Sequence, residues 1–178
     1  MAAAKAGPGK FLVLIVLVTV AAVLAAALLR AQQAGATPPS VSRGAAVTAT
    51  LPQLNGETFD LADYRGNVLA VNLFASWCAS CWDELKGFER VSREYASKGV
   101  AVVGISVQSS PEDTRDMIDR LGLTFPVGLD PQGTVSLETL GLRGMPTTLF
   151  FDRQGRLLES FTGEISEAQL RAKLDGLL

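Results

Sequence analysis

Cys78 and Cys81 are the two cysteines of the 178-residue chain, with Ala79 and Ser80 between them. A metal site would need further ligands, and the sequence has no His and no third Cys to supply them. A purely structural bridge is a weak alternative, because closing so small a loop removes little chain entropy. Reversible disulfide exchange suits the spacing best. If a helix starts at the first cysteine, two intervening residues let the sulfurs meet across its first turn. Cys78 would then face the unpaired N–H groups and the positive end of the helix dipole. These favour a thiolate and lower the pKa from about 8.5. The thiolate is the attacking species in exchange. Cys81, one turn inside, would be more buried and would resolve the mixed disulfide. The lack of His also excludes imidazole triads and His acid–base chemistry.

Elements able to hold such a pair flank it. Residues 68–74 form an unbroken apolar run of strand length apart from Asn72, and residues 100–107 form another, the pattern of strands buried on both faces. Between them, Leu85, Phe88, Val91 and Tyr95 make a helical stripe within 79–98, and Gly99 is a stop. A C-x-x-C beside a βαβ unit is the sequence signature of a thioredoxin-like redox motif. Upstream, 47–51 and 58–59 read as short strands around the Asn55-Gly56 turn, and 61–65 as a single helical turn. Downstream, Ser110-Pro111-Glu112-Asp113 starts a helix with Met117, Ile118 and Leu121 inward, and 134–140 reads as a short helix. Residues 147–151 and 156–161 form a hairpin through 152–155, and 166–178 form a last helix. The order is βαβ, then helical material, then ββα, without internal repeats.

The N-terminus differs in character. Residues 11–29 hold Thr19 as their only polar member and would span about 28 Å as a helix, close to the hydrocarbon thickness of a bilayer. A transmembrane anchor is expected there, after a cytoplasmic tail over 1–10 and before a flexible tether over 30–46. The domain over 47–178 would lie on the extracytoplasmic face. Ala34-Gly35-Ala36 offers a cleavage pattern, but the apolar run exceeds the usual signal-peptide length. All 18 acidic residues occur from Glu57 onward; beyond residue 30 they face 13 basic ones, a net of −5 that argues against nucleic-acid binding.

The stretch from Val71 to Leu85, with Ser76-Trp77-Cys78 and Glu84 in it, resembles the membrane-tethered thioredoxins of the TlpA/ResA/CcmG group. Gly144-Met145-Pro146-Thr147-Thr148 and Asp152-Arg153-Gln154-Gly155 resemble the same group. The resemblance covers about 47–178. It implies an α/β thioredoxin-like fold with an N-terminal β-hairpin extension, here preceded by one transmembrane helix. It also implies thiol–disulfide exchange on protein substrates such as apocytochrome c, fed by a membrane thiol reductase, without cofactor or metal. Pro146 matches the group's cis-proline; with Met145 and Trp77 it is expected to bind substrate. Glu84 matches an active-site glutamate. Three residues after Cys81, it shares a helical face with it and is a candidate for tuning or shuttling its proton. Asn72 stands where cytoplasmic thioredoxins bury an Asp, which suggests that proton handling has moved to Glu84.

Two departures stand out. Ser80 replaces the group's usual Pro, adding a backbone N–H and a hydroxyl near the sulfurs. Trp82 replaces a common basic residue and is expected either to pack beside the site or to widen an apolar surface with Trp77. Two other function classes compete. A peroxiredoxin-like thiol peroxidase would carry Thr three residues before its reactive Cys, where this chain has Ala75. A non-catalytic docking module, with the disulfide only structural, is the other reading, and the intact Cys78 and Cys81 argue against it.

Overall fold

A computed structural model describes residues 15–26 and 42–178. The chain divides into two compact units, 1–38 and 39–178. In the first, residues 15–26 are helical and their apolar side chains are exposed. They fall inside the expected anchor, but among the described residues no helix is long and apolar enough to cross a membrane. The tail over 1–10, the ends of the anchor and most of the tether lie outside the described residues.

The second unit starts with a hairpin of β1 (Thr50–Pro52) and β2 (Thr58–Asp60) and a single 3-10 turn over Leu61–Tyr64. β3 (Val68–Phe74), α1 (Ala79–Tyr95) and β4 (Val100–Val107) follow. Next come α2 (Pro111–Leu121), β5 (Val127–Asp130) and a π-helical turn over Val135–Thr139. β6 (Thr147–Phe151), β7 (Leu157–Thr162) and α3 (Glu167–Asp175) complete the chain. The sheet order is β5-β4-β3-β6-β7, with β3 parallel to β4 and antiparallel to β6.

β3 is central and buried throughout, and its alternating side chains feed two apolar clusters. Val68, Ala70 and Phe74 pack with Leu85, Phe88 and Val91 of α1, with Met117 of α2 and with Leu170 and Leu174 of α3. Leu69, Val71 and Leu73 pack on the other face with Leu51, Phe59, Ile105 and Leu149. Burial on both faces is why the run reads as continuous rather than alternating. Helix ends follow the expected signals. Ser110 Oγ accepts from Asp113 N at 3.0 Å ahead of Pro111, and Ser166 and Gln169 form a capping box. The 3-10 turn after α1 stops at Gly99, whose φ of 81° a residue with a side chain rarely adopts.

Three expectations are corrected. β5 is a strand where only helical material was expected. It has four residues including Gly128, too few for a periodic signal. Gly128 is needed because a Cβ there would lie 2.7 Å from Leu51 Cβ; the hairpin covers this edge strand through a Gln53–Gly128 bridge. The first hairpin strand begins at Thr50 rather than 47. The residues before it pair elsewhere: Ala46 bridges Arg156, Gly44 N donates to Leu157 O at 2.7 Å, and Leu157 N donates to Ala45 O at 3.0 Å. The last helix ends at Asp175 instead of 178, just before Gly176.

Candidate active site

Register brings three loops to one edge of the sheet. Phe74, the last residue of β3, pairs with Ser106 near the end of β4, and Leu73 pairs with Thr147 at the start of β6. The segments 75–78, 108–110 and 144–146 therefore leave the sheet side by side. Cys78 is the N-cap of α1, without a side-chain capping bond, and is joined to Cys81 with their Cα atoms 5.4 Å apart. Cys78 is 7% exposed and Cys81 0%, so only the first of the two has any surface open to solvent. Ser80 Oγ lies 3.6 Å from Cys78 Sγ. The Met145–Pro146 bond is cis, immediately before β6.

The loop holding Cys78 is fastened from behind, in part by Ser109 and Gln108, which the sequence did not single out. Ser109 Oγ accepts from Ser76 N at 2.9 Å and donates to Val107 O at 3.1 Å. Trp77 is 62% exposed, yet its Nε1 donates to Gln108 O at 3.1 Å. Gln108 holds a φ of 48°, a left-handed conformation uncommon outside glycine and asparagine. Neither Gly nor Asn stands at this position to signal it. Trp82 resolves the choice left open for it: it is partly buried on the core, and its Nε1 donates to Ser76 O at 3.0 Å. Trp82 thus braces the loop, and Trp77 alone of the two presents an exposed ring. Met145 is half-buried between the two apolar clusters.

Glu84 lies one turn beyond Cys81 on the buried side of α1 and is 4% exposed. Asn72 Nδ2 donates to its Oε1 at 2.6 Å. Burial pushes the Glu84 carboxyl up to about 7, and the nearby Glu164 charge adds to the rise. The Ile165 backbone N–H, the Asn72 amide and Thr148 oppose it. Glu84 Oε2 accepts no hydrogen bond of good geometry. A carboxyl poised near neutrality can take or give a proton under ordinary conditions. Of the residues expected at the site, Cys78, Cys81, Trp77, Met145 and Pro146 lie on two of the converging loops and the helix start they lead into. Glu84 lies one turn deeper.

A dithiol at this helix start, with a cis-proline on the neighbouring strand's approach, is the working arrangement of thioredoxin-fold thiol–disulfide oxidoreductases, and this protein is one of them. The chain belongs to the AhpC/TSA family, whose pattern matches residues 43–160. It is 28% identical over 122 residues to the thiol-disulfide oxidoreductase ResA of Halalkalibacterium halodurans, covering 68% of this chain and 69% of that protein. It is 31% identical over 129 residues to the thioredoxin-like protein YneN of Bacillus subtilis, covering 71% and 74%. Among solved structures, a secreted thiol-disulfide isomerase from Corynebacterium glutamicum aligns with a TM-score of 0.70 at 25% identity, over 76% of this chain and 86% of that one.

Proposed function

We propose that the protein is an extracytoplasmic, membrane-held reductase of protein disulfides. The observation that carries the direction of attack is the pair itself, with Cys78 at the rim and Cys81 fully enclosed. In the reduced protein the Cys78 thiolate attacks one sulfur of a substrate disulfide, forming a mixed disulfide and releasing one substrate thiolate. Cys81 then loses its proton to the Glu84 carboxylate and attacks Cys78 Sγ. The second substrate sulfur leaves, and the 78–81 bridge is restored. Two electrons pass to the substrate, and an external thiol donor must return them. Trp77, Met145 and Pro146 form the rim against which the substrate chain docks.

The finer assignments rest on the resemblance and on the apolar segment at 11–29. They are a single-pass anchor with its N-terminus in the cytoplasm, a membrane thiol reductase as electron donor, and disulfide-bearing apocytochrome c as substrate. Trapping tests the whole reading. Cys81→Ser is expected to accumulate mixed disulfides with partner proteins through Cys78, and Cys78→Ser to abolish insulin disulfide reduction. Mixed disulfides that form through Cys81 in the Cys78→Ser protein would reverse the assignment.

A further inference from the structure

Asn72 Oδ1 and Glu84 Oε2 are both buried and neither has a hydrogen-bond partner of good geometry, although their side chains are joined by the Asn72 Nδ2–Glu84 Oε1 bond and the Ile165 N–H and Thr148 lie near enough to Glu84 to favour its anion. Both unpartnered atoms are acceptors whenever Glu84 is ionised. One proton is enough for both, because a protonated Oε2 becomes a donor and the Asn72 amide oxygen is free to accept. We propose that Asn72 is the positioning residue of the buried acid: its amide closes a ring with Glu84, in which Nδ2 donates to Oε1 and the acid proton, held on Oε2, donates to Asn72 Oδ1.

The surroundings favour this pairing over others. Asn72 lies on the α1-facing side of the central strand, fully buried, where water does not compete. Its other neighbour, Thr148 Oγ1, sits across the strand pair at 3.4 Å from Nδ2, a longer contact than the 2.6 Å bond to Glu84. Among the leading influences on Glu84 the one charge is Glu164, which precedes Ile165 and repels the anion. β3 and β6 face it with the neutral Asn72 and Thr148, and Cys81 precedes it on α1. In such a ring, ionisation would leave Oδ1 opposite a carboxylate oxygen, acceptor against acceptor, an arrangement that draws a proton back. Asn72 thereby fixes which oxygen carries the proton and reloads the acid after it is used. This inference rests on the reading of Glu84 as the proton acceptor for Cys81.

Nuclear magnetic resonance of the labelled full chain, oxidised so that neither cysteine titrates, tests it between pH 5 and 9. The Glu84 carboxyl carbon and the Asn72 side-chain amide are expected to titrate with one shared midpoint, and the Asn72 titration to be lost in Glu84→Gln. An Asn72 amide that stays fixed while Glu84 titrates would overturn the proposal. Asn72→Asp adds a readout that a merely structural amide would not give. Two carboxyls sharing one proton titrate in two widely split steps; two steps close together in the ordinary carboxylate range would count against the ring. If that variant does not fold, the wild-type titration decides alone. Disulfide reduction by the unlabelled protein is a separate measurement. Normal reduction with a fixed amide removes only the ring, whereas a shared titration without reduction removes only the proposed function.

Discussion

Replacing Glu84 by Gln should make the oxidised protein more stable in mild alkali and leave it almost unchanged in acid. The sign follows from linkage. The Glu84 carboxyl is raised from 4.5 to about 7 by burial, so the folded state holds its proton more tightly than the unfolded chain does. The stability this contributes is fully present below the unfolded pKa and is lost as pH rises through the folded one. Every tenfold gain in proton affinity on folding corresponds to about 1.4 kcal/mol. The interval from 4.5 to about 7 thus sets a total of about 3 kcal/mol, of which about 2.5 kcal/mol is lost between pH 5 and 8. Gln keeps the shape, can accept from Asn72 Nδ2 and carries no charge at either pH. Urea unfolding of both oxidised proteins at pH 5 and pH 8 measures the difference. Asp60, Glu89 and Asp152, whose pKa values are lowered, contribute pH dependence of the opposite sign that is common to both proteins and cancels in the comparison. Equal pH dependence in the two proteins would show that Glu84 is ionised in the folded state at pH 5, and the burial argument would fail.

Two further outcomes follow from single contacts. Ser80→Ala removes the hydroxyl 3.6 Å from Cys78 Sγ, a donor that favours the thiolate. The reduction potential should fall by about 20 mV, taking about 1 kcal/mol for the lost bond, and equilibration with glutathione reads it; an unchanged or higher potential would show that the hydroxyl does not reach the sulfur. Gly128→Ala puts a methyl 2.7 Å from Leu51 Cβ and should cost about 1–3 kcal/mol in urea unfolding by forcing the β1–β2 hairpin off the sheet edge. A variant as stable as the wild type would mean that the hairpin yields freely.

The parts of this fold that carry long periodic signals were readable from residues alone. β3 and β4 announce themselves as apolar runs because both of their faces are covered, and the Leu85-Phe88-Val91-Tyr95 stripe gives α1 because one face is buried. The i, i+3 spacing on that helix placed Glu84 on the face of Cys81. What could not be read was contact made across long stretches of sequence. Asn72 was recognisable as a neutral residue in a central strand, but its partner lies 12 residues on, and only the packing of α1 on β3 joins them. β5 escaped because Gly128, required by the hairpin, interrupts a four-residue strand. Asp130, a turn-like residue by type, is buried at the end of that strand, where its carboxylate accepts from Ser136 N at 2.7 Å. The left-handed Gln108 and the Ser109 clasp behind the active loop are choices of tertiary context, with no local residue that demands them.

The seam between 44–46 and the β6–β7 hairpin has a mechanical consequence. Arg156 and Leu157 follow the turn that lies beside the beginning of β3, since Leu69 pairs with Phe151 and Gly66 N donates to Arg153 O. Cys78 lies past the other end of the same strand. A pull exerted on the polypeptide upstream of Ser42 is therefore borne by the Gly44, Ala45 and Val47 backbone bonds to Leu157 and Gly155, at the pole remote from the sulfurs. β3, seven residues at about 3.3 Å each, keeps roughly 23 Å of sheet between the loaded pole and the reactive one. The seam at 44–47 and the 78–81 disulfide therefore sit at opposite ends of the central strand, and load entering at Ser42 reaches the domain at the end away from Cys78.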